Sequence, residues 1–192
     1  TGVQTCALPI LFFTANFGLN FQISNTLFAT QIFHKDAGQY GLLGTYLACG
    51  AVVAALIATR RGKRKPIEII WFAIGFGVLE MLLSQTPNYG VYSFVLVFCG
   101  FAAISTMLSS NTYVQLSTSA NLRGRVMGIY LLVFLGGTPV GSPIIGWASD
   151  WIGVRQTLFV CGLATAAGAV LSHQIFKKRL VTFEKNQSSH AD

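Results

Sequence analysis

The chain has 192 residues, of which 53% are hydrophobic and only 10% charged. A soluble domain carries about 25% charged residues, so this chain cannot cover a water-facing surface, and a soluble enzyme, a disordered chain and a collagen-like chain are all excluded. Thirteen Lys and Arg against six Asp and Glu leave a net charge of +7, and the length accommodates about six membrane helices of about 20 residues each.

In chain order, the first ten residues, Thr1–Ile10, stand apart. They resemble the in-frame translation of a short-read sequencing adapter, which makes Cys6 and Pro9 non-native and places the true start upstream of Leu11. Such scars are removed before a fold is read. Apolar stretches then run over 11–31, 41–58, 67–83, 91–113, 126–147 and 157–176, with a basic tail at 177–192. Each stretch is near the length that crosses about 30 Å of hydrocarbon at 1.5 Å per residue. Inside a bilayer the backbone must satisfy its own hydrogen bonds, so these stretches are expected to be helices. Alternating strands of a β-barrel are missing from the pattern.

The charges sort by loop. Arg60, Arg61, Lys63, Arg64 and Lys65 follow the second stretch, Arg123 and Arg125 follow the fourth, and Lys177, Lys178, Arg179 and Lys185 follow the sixth. The other loops hold only Lys35 and Arg155, so eleven of thirteen cations lie on one side. The excess of cations in short loops marks the cytoplasmic side, which puts both ends of the chain inside. The +7 is thereby a topology signal, and no nucleic-acid partner is needed to account for it. The cysteines Cys49, Cys99 and Cys161 sit in apolar runs with no CxxC pair and read as small buried hydrophobes. The histidines His34, His173 and His190 read as interfacial or solvated. No metal site, cofactor or phosphate-binding loop is expected, so ATP is not the direct energy source.

Polar groups inside apolar stretches are expensive and mark function. The first stretch holds Thr14, Asn16, Asn20, Gln22, Ser24 and Asn25, and the spacing of four puts Asn16, Asn20 and Ser24 on one helix face. The fourth holds Ser105, Thr106, Ser109, Ser110, Asn111 and Gln115. Glu80 is the one carboxylate well inside a stretch and is a candidate proton carrier, with snorkelling or a helix–helix hydrogen bond as the structural alternative. Gly124 with Gly128 and Gly137 with Gly141 form GxxxG pairs that suit close helix packing. Pro139 and Pro143 lie inside the fifth stretch and are expected to kink it. Asp150 is placed to cap the sixth helix.

The two halves echo each other. Gly44-Thr45-Tyr46-Leu47 opens the second stretch and Gly128-Ile129-Tyr130-Leu131 the fifth; Gly62-Lys63-Arg64 follows the second and Gly153-Val154-Arg155 the fifth. Three spans per copy make the copies inverted, an arrangement of secondary transporters. An intramembrane serine protease is the remote alternative, but Gly141-Ser142-Pro143 lacks a second glycine and His173 lies at the far end of its span. A stand-alone six-span protein, acting as a dimeric half-transporter or channel subunit, is the other alternative.

Gly146, Asp150, Gly153 and Arg155 match the loop motif G-x-x-x-D-x-x-G-x-R/K, and the loop after the second stretch is a degraded copy, with Ala55 for Gly and Thr59 for Asp. With the stretches Asn111–Gln115, Leu122–Gly128 and Gly136–Pro143, and with Asn20-Phe21-Gln22, the chain resembles the major facilitator superfamily, in the branch of siderophore and macrolide exporters. The resemblance covers about residues 11–176. It implies an all-α integral membrane protein: six transmembrane helices in two inverted three-helix repeats, the seventh to twelfth helices of a twelve-helix transporter. The first helix of each triplet then lines the central cavity and the third is peripheral. Asn16, Asn20, Gln22 and Ser24 are expected on the substrate path, and Asn111, Gln115, Arg125, Pro139, Pro143, Asp150 and Arg155 in gating or structural roles. The implied function is ion- or proton-coupled efflux of small amphipathic molecules by alternating access, at the inner membrane. The implied partners are lipid, the missing N-terminal six-helix half and a small-molecule substrate.

Overall fold

The computed structural model describes residues 21–60, 66–116, 118–136 and 138–188, and every regular element among them is a helix. They are α1 (Phe21–Leu27, continued by a π turn, Phe28–Ile32), α2 (Ala37–Arg60), α3 (Pro66–Gln85), α4 (Tyr89–Leu116), α5 (Arg123–Gly136), α6 (Thr138–Ile152) and α7 (Val154–Ser188). Four of them hold segments long and apolar enough to cross a membrane: Ala37–Arg60, Ile67–Gln85, Tyr89–Leu116 and Val154–Gln174. These correspond to the second, third, fourth and sixth stretches, each extended by a few residues. The helix of the sixth runs on through Ser188 into the basic segment.

The fifth stretch is described as two helical segments, α5 and α6, on either side of Gly137. The residue between them, Gly137, lies outside the described residues. Pro139 falls in the first turn of α6, where its missing N–H costs nothing. Pro143 lies inside α6, which continues past it to Ile152.

Local chemistry sets the ends. Asp36 caps α2 by accepting the Gln39 N–H at 3.0 Å, the geometry of an N-cap acid. The π turn closes with Phe33 N–H on Phe28 O at 2.9 Å, and the chain then turns at His34, whose φ of 49° lets Lys35 N–H reach Ala29 O at 2.8 Å. Histidine is among the few non-glycine residues that tolerate this region. One residue, Gly153 at φ 88°, joins α6 to α7. Only glycine takes that corner without steric cost. Asp150 therefore does not cap α7: it is an exposed residue of the last turn of α6, and the residue preceding α7 is Gly153.

The packing is inverted relative to a water-soluble protein. Large apolar side chains point outward, among them Leu132 (72% exposed), Trp71 (67%) and Trp151 (77%). The buried set includes Ser24, Asn25, Glu80, Ser93, Ser105, Thr106, Ser109, Ser110, Thr165 and Ser172. In lipid the apolar exterior is the solvated state and polar groups belong inside. Several buried hydroxyls bond back to the carbonyl one turn earlier: Thr106 to Ala102 at 2.8 Å, Thr165 to Cys161 at 3.0 Å and Ser172 to Gly168 at 2.8 Å. That back-bonding satisfies them without a partner helix.

Two glycine crossings hold the bundle. α2 packs on α4, and α3 packs on both α7 and α4. A Cβ at Gly50 would collide with the Val97 carbonyl, and one at Gly100 with the Leu47 carbonyl. A Cβ at Gly77 would lie 2.6 Å from the Gly162 carbonyl oxygen, and one at Gly162 lies 2.6 Å from that of Gly77. Only glycine permits such backbone approach between membrane helices. The expected GxxxG pair Gly124 and Gly128 has nothing within 4 Å of either position, so it makes no crossing among the described residues. Cys99 and Cys161 are buried as expected, whereas Cys49 is exposed. His34 is exposed and His173 half-buried.

In the natural full-length protein, Gly77→Ala and Gly100→Ala are each expected to cost about 1–3 kcal/mol, the usual penalty of overpacking. Gly75→Ala, in open space on α3, is expected to be neutral. Thermal unfolding in mild detergent checks the contrast.

Candidate functional site

α1 brings two polar side chains into the bundle. Ser24 and Asn25 are buried, while Gln22 is exposed. Asn16 and Asn20 lie outside the described residues. Asn25 is tied to α4: the Tyr92 hydroxyl donates to Asn25 Oδ1 at 2.6 Å. Tyr92 itself is fully buried, stacked on Phe28 with ring centres 4.9 Å apart and met edge-on by Phe33 at 5.4 Å. Phe33 also meets Tyr89 edge-on, and the Tyr89 hydroxyl donates to Gln39 O at 2.7 Å. Stacked and edge-on aromatic pairs add about 0.5–1.5 kcal/mol each beyond their burial. Sequence reading counted Asn25 among the polar groups of its stretch but did not single it out, and it did not select Tyr92.

Glu80 sits five residues before the end of α3, fully buried. It does not snorkel. It packs at the glycine crossing, its Cβ 2.9 Å from where a Cβ on Gly162 would stand. Neither carboxyl oxygen has a hydrogen-bond partner among the described residues. The titratable groups that face it are Tyr92 and Cys99 from α4 and Cys161 from α7. Thr165 lies alongside and donates its hydroxyl proton to Cys161 O.

Arg155 stands at one end of the same α3–α7 pair. Its Nη1 donates to Ser84 O at 3.0 Å and to Thr86 O at 2.9 Å, across the last turn of α3. Its guanidinium carbon lies 6.0 Å from the centre of the Phe28 ring. Structure therefore assembles Arg155, Phe28, Tyr92, Asn25 and Glu80 around α1, α3, α4 and α7.

The remaining expected residues lie elsewhere. Gln115 donates to Asn111 on the last turns of α4, with Gln115 exposed and Asn111 half-buried. Arg125, Pro139, Pro143 and Asp150 are exposed on α5 and α6. Ser109 and Ser110 are buried with hydroxyls unpartnered among the described residues. No cluster of three metal-ligating side chains occurs among the described residues.

Tyr92→Phe removes the donor to Asn25 and is expected to cost roughly 1 kcal/mol, the size of interhelical hydrogen bonds in membranes. A double-mutant cycle with Asn25→Ala, read by thermal unfolding, is expected to show a non-zero coupling.

Comparison with known proteins agrees with this geometry. The family profile described as transmembrane secretion effector, MFS_3, matches residues 11–192. An uncharacterized transporter, y4wD, of Sinorhizobium fredii is 28% identical over 116 residues, covering 60% of this chain and 30% of that protein. An uncharacterized MFS-type transporter, YfmI, of Bacillus subtilis is 23% identical over 163 residues, covering 80% of this chain and 39% of that protein. The matched part of the chain spans 30% and 39% of the length of these curated relatives. No solved structure matches. A polar interior wrapped in apolar helices suits a multi-pass membrane protein. The chain belongs to the transmembrane secretion effector family of major facilitator transporters.

Proposed function

We propose that this chain is the C-terminal six-helix half of a twelve-helix secondary transporter that exports small amphipathic molecules by alternating access. The match to the secretion effectors across residues 11–192, all six apolar stretches included, carries the reading. The fraction of the relatives' length that is matched supports a half-sized unit. Residues 1–10 fall outside the family match, in keeping with their reading as non-native.

In this reading Asn16, Asn20, Gln22 and Ser24 of the first helix line the substrate path, which the absent N-terminal half completes. Gln22, exposed on the described bundle, offers an amide towards that half, while the burial of Ser24 ties the helix to its neighbours. Asn111 with Gln115, Arg125, Pro139 and Pro143 serve gating, Pro139 near the start of α6 and Pro143 within it. The cation-rich loops face the cytoplasm, so both ends of the chain lie on the cytoplasmic side of the inner membrane.

Glu80 is the coupling carboxyl in this reading. It lies off the substrate path, buried against the α3–α7 crossing with neither oxygen hydrogen-bonded among the described residues. A carboxylate so placed lacks the cation or donors that make a buried charge tolerable. Proton exchange at Glu80 therefore requires the helices around it to part, which links the proton to conformation.

The test is efflux of ethidium, a small amphipathic cation, from vesicles holding the natural full-length protein at a series of pH values. Glu80→Gln, which is permanently neutral, is expected to flatten the pH profile while leaving the protein folded. A profile identical to that of the parent sinks the coupling role.

A further inference from the structure

Arg155 does two jobs with one side chain. Its Nη1 holds the carbonyls of Ser84 and Thr86, which flank Gln85, the last residue of α3. Helix C-termini leave carbonyls without intrahelical partners, and a cation there also opposes the helix dipole. Its guanidinium carbon meanwhile sits 6.0 Å from the ring of Phe28, the first residue of the π turn that ends α1.

The first contact makes a post. Arg155 is seven residues from Gly162 on α7, and Ser84 is seven from Gly77 on α3. The two antiparallel helices are thus joined twice, by backbone contact at the glycines and by the arginine about 10 Å away along the axis. Between those two points the pair has little freedom to slide.

The second contact is of a different kind. α1 docks on this post through rings: Phe28 on Arg155 and Tyr92, Phe33 on Tyr89 and Tyr92, and Phe21 edge-on to Phe76 at 6.1 Å. Asn25 supplies one hydrogen bond. The end of α1 is also irregular in its own hydrogen bonding, with a π turn followed by a left-handed His34. π turns recur where helices serve function. A helix end held by ring contacts can leave a rigid post without breaking that post.

We propose that Arg155 is a positioning residue for transport: fixed to the end of α3, it presents its guanidinium face to Phe28 and so holds the outer end of α1 closed. This rests on the transporter reading, which makes α1 a path-lining helix and the Arg155 end the outer one. Opening to the outside breaks the Arg155–Phe28 contact and preserves the Arg155–Ser84 and Arg155–Thr86 bonds.

Cysteine accessibility in the natural full-length protein tests this, with native cysteines replaced by alanine. Ala29→Cys reports the outer end, since Ala29 is fully buried beside Phe28. Leu116→Cys reports the opposite end of α4. Phe28→Leu removes the ring face, and Arg155→Lys keeps the charge but loses the plane. Each is expected to raise labelling of the Ala29→Cys protein by an impermeant maleimide about tenfold, the shift that loss of a desolvated cation–π contact brings to a two-state balance. Labelling of the Leu116→Cys protein is expected to fall in the same variants.

That opposed response separates a moved balance from simple loosening, which raises both rates. Unchanged labelling in both variants, or a rise at both ends, overturns the proposal. If one variant fails to fold, the other decides. If neither folds, Arg155 and Phe28 only stabilise the bundle and the proposal is wrong. Ethidium efflux by the parent protein is scored separately: opposed labelling without efflux faults the transporter reading and leaves the clamp standing.

Discussion

The α3–α7 crossing is the contact on which the rest of the bundle depends. Gly77 and Gly162 let two backbones approach until each carbonyl would touch the other's Cβ. In lipid no hydrophobic force drives helices together, so such packing has to supply the cohesion itself. The close approach has a consequence for Glu80, one turn further along α3. Backbone contact leaves no channel for water, and the carboxyl is sealed without a partner among the described residues. Arg155 then locks the same helix pair at one end. Gly50 and Gly100 repeat the device between α2 and α4, and α4 joins the two pairs.

Against this framework α1 is held differently. Its described contacts include the ring pairs and the Tyr92–Asn25 hydrogen bond, and its end carries a π turn. α5 and α6 lie on either side of Gly137, with Pro139 near the start of α6 and Pro143 within it. The helices joined by glycine crossings are α2 with α4 and α3 with α7.

Much of this was legible in the residues. Apolar length, loop charge and the motif from Gly146 to Arg155 pointed to a membrane transporter of this superfamily, and the family match agrees. Four of the six stretches appear as single long helices within a few residues of their expected bounds. The site was less legible. GxxxG spacing selected Gly124 and Gly128, which meet nothing among the described residues, and passed over Gly50, Gly77, Gly100 and Gly162. Each of the latter is a lone glycine whose partner lies on another helix. Spacing within one helix carries no signal for that. Asp150 was expected to cap α7, but the corner fell at Gly153, because glycine alone accepts the positive φ that a one-residue turn demands.

By itself the sequence determined the solvent of this protein and the rough extent of four of its apolar helices, because hydrocarbon accepts only long apolar segments whose backbone is satisfied internally. It also marked Glu80, as a carboxylate inside an apolar stretch, and Arg155, through the loop motif that runs from Gly146. Only the tertiary structure decided what those two residues touch. Rotation of each helix about its axis sends Glu80 to the Gly162 crossing and Tyr92 to Asn25, and it points Arg155 at the end of α3 and the ring of Phe28. Helices that are apolar on every side carry no stripe to set that rotation. It is fixed instead by where four glycines let backbones meet.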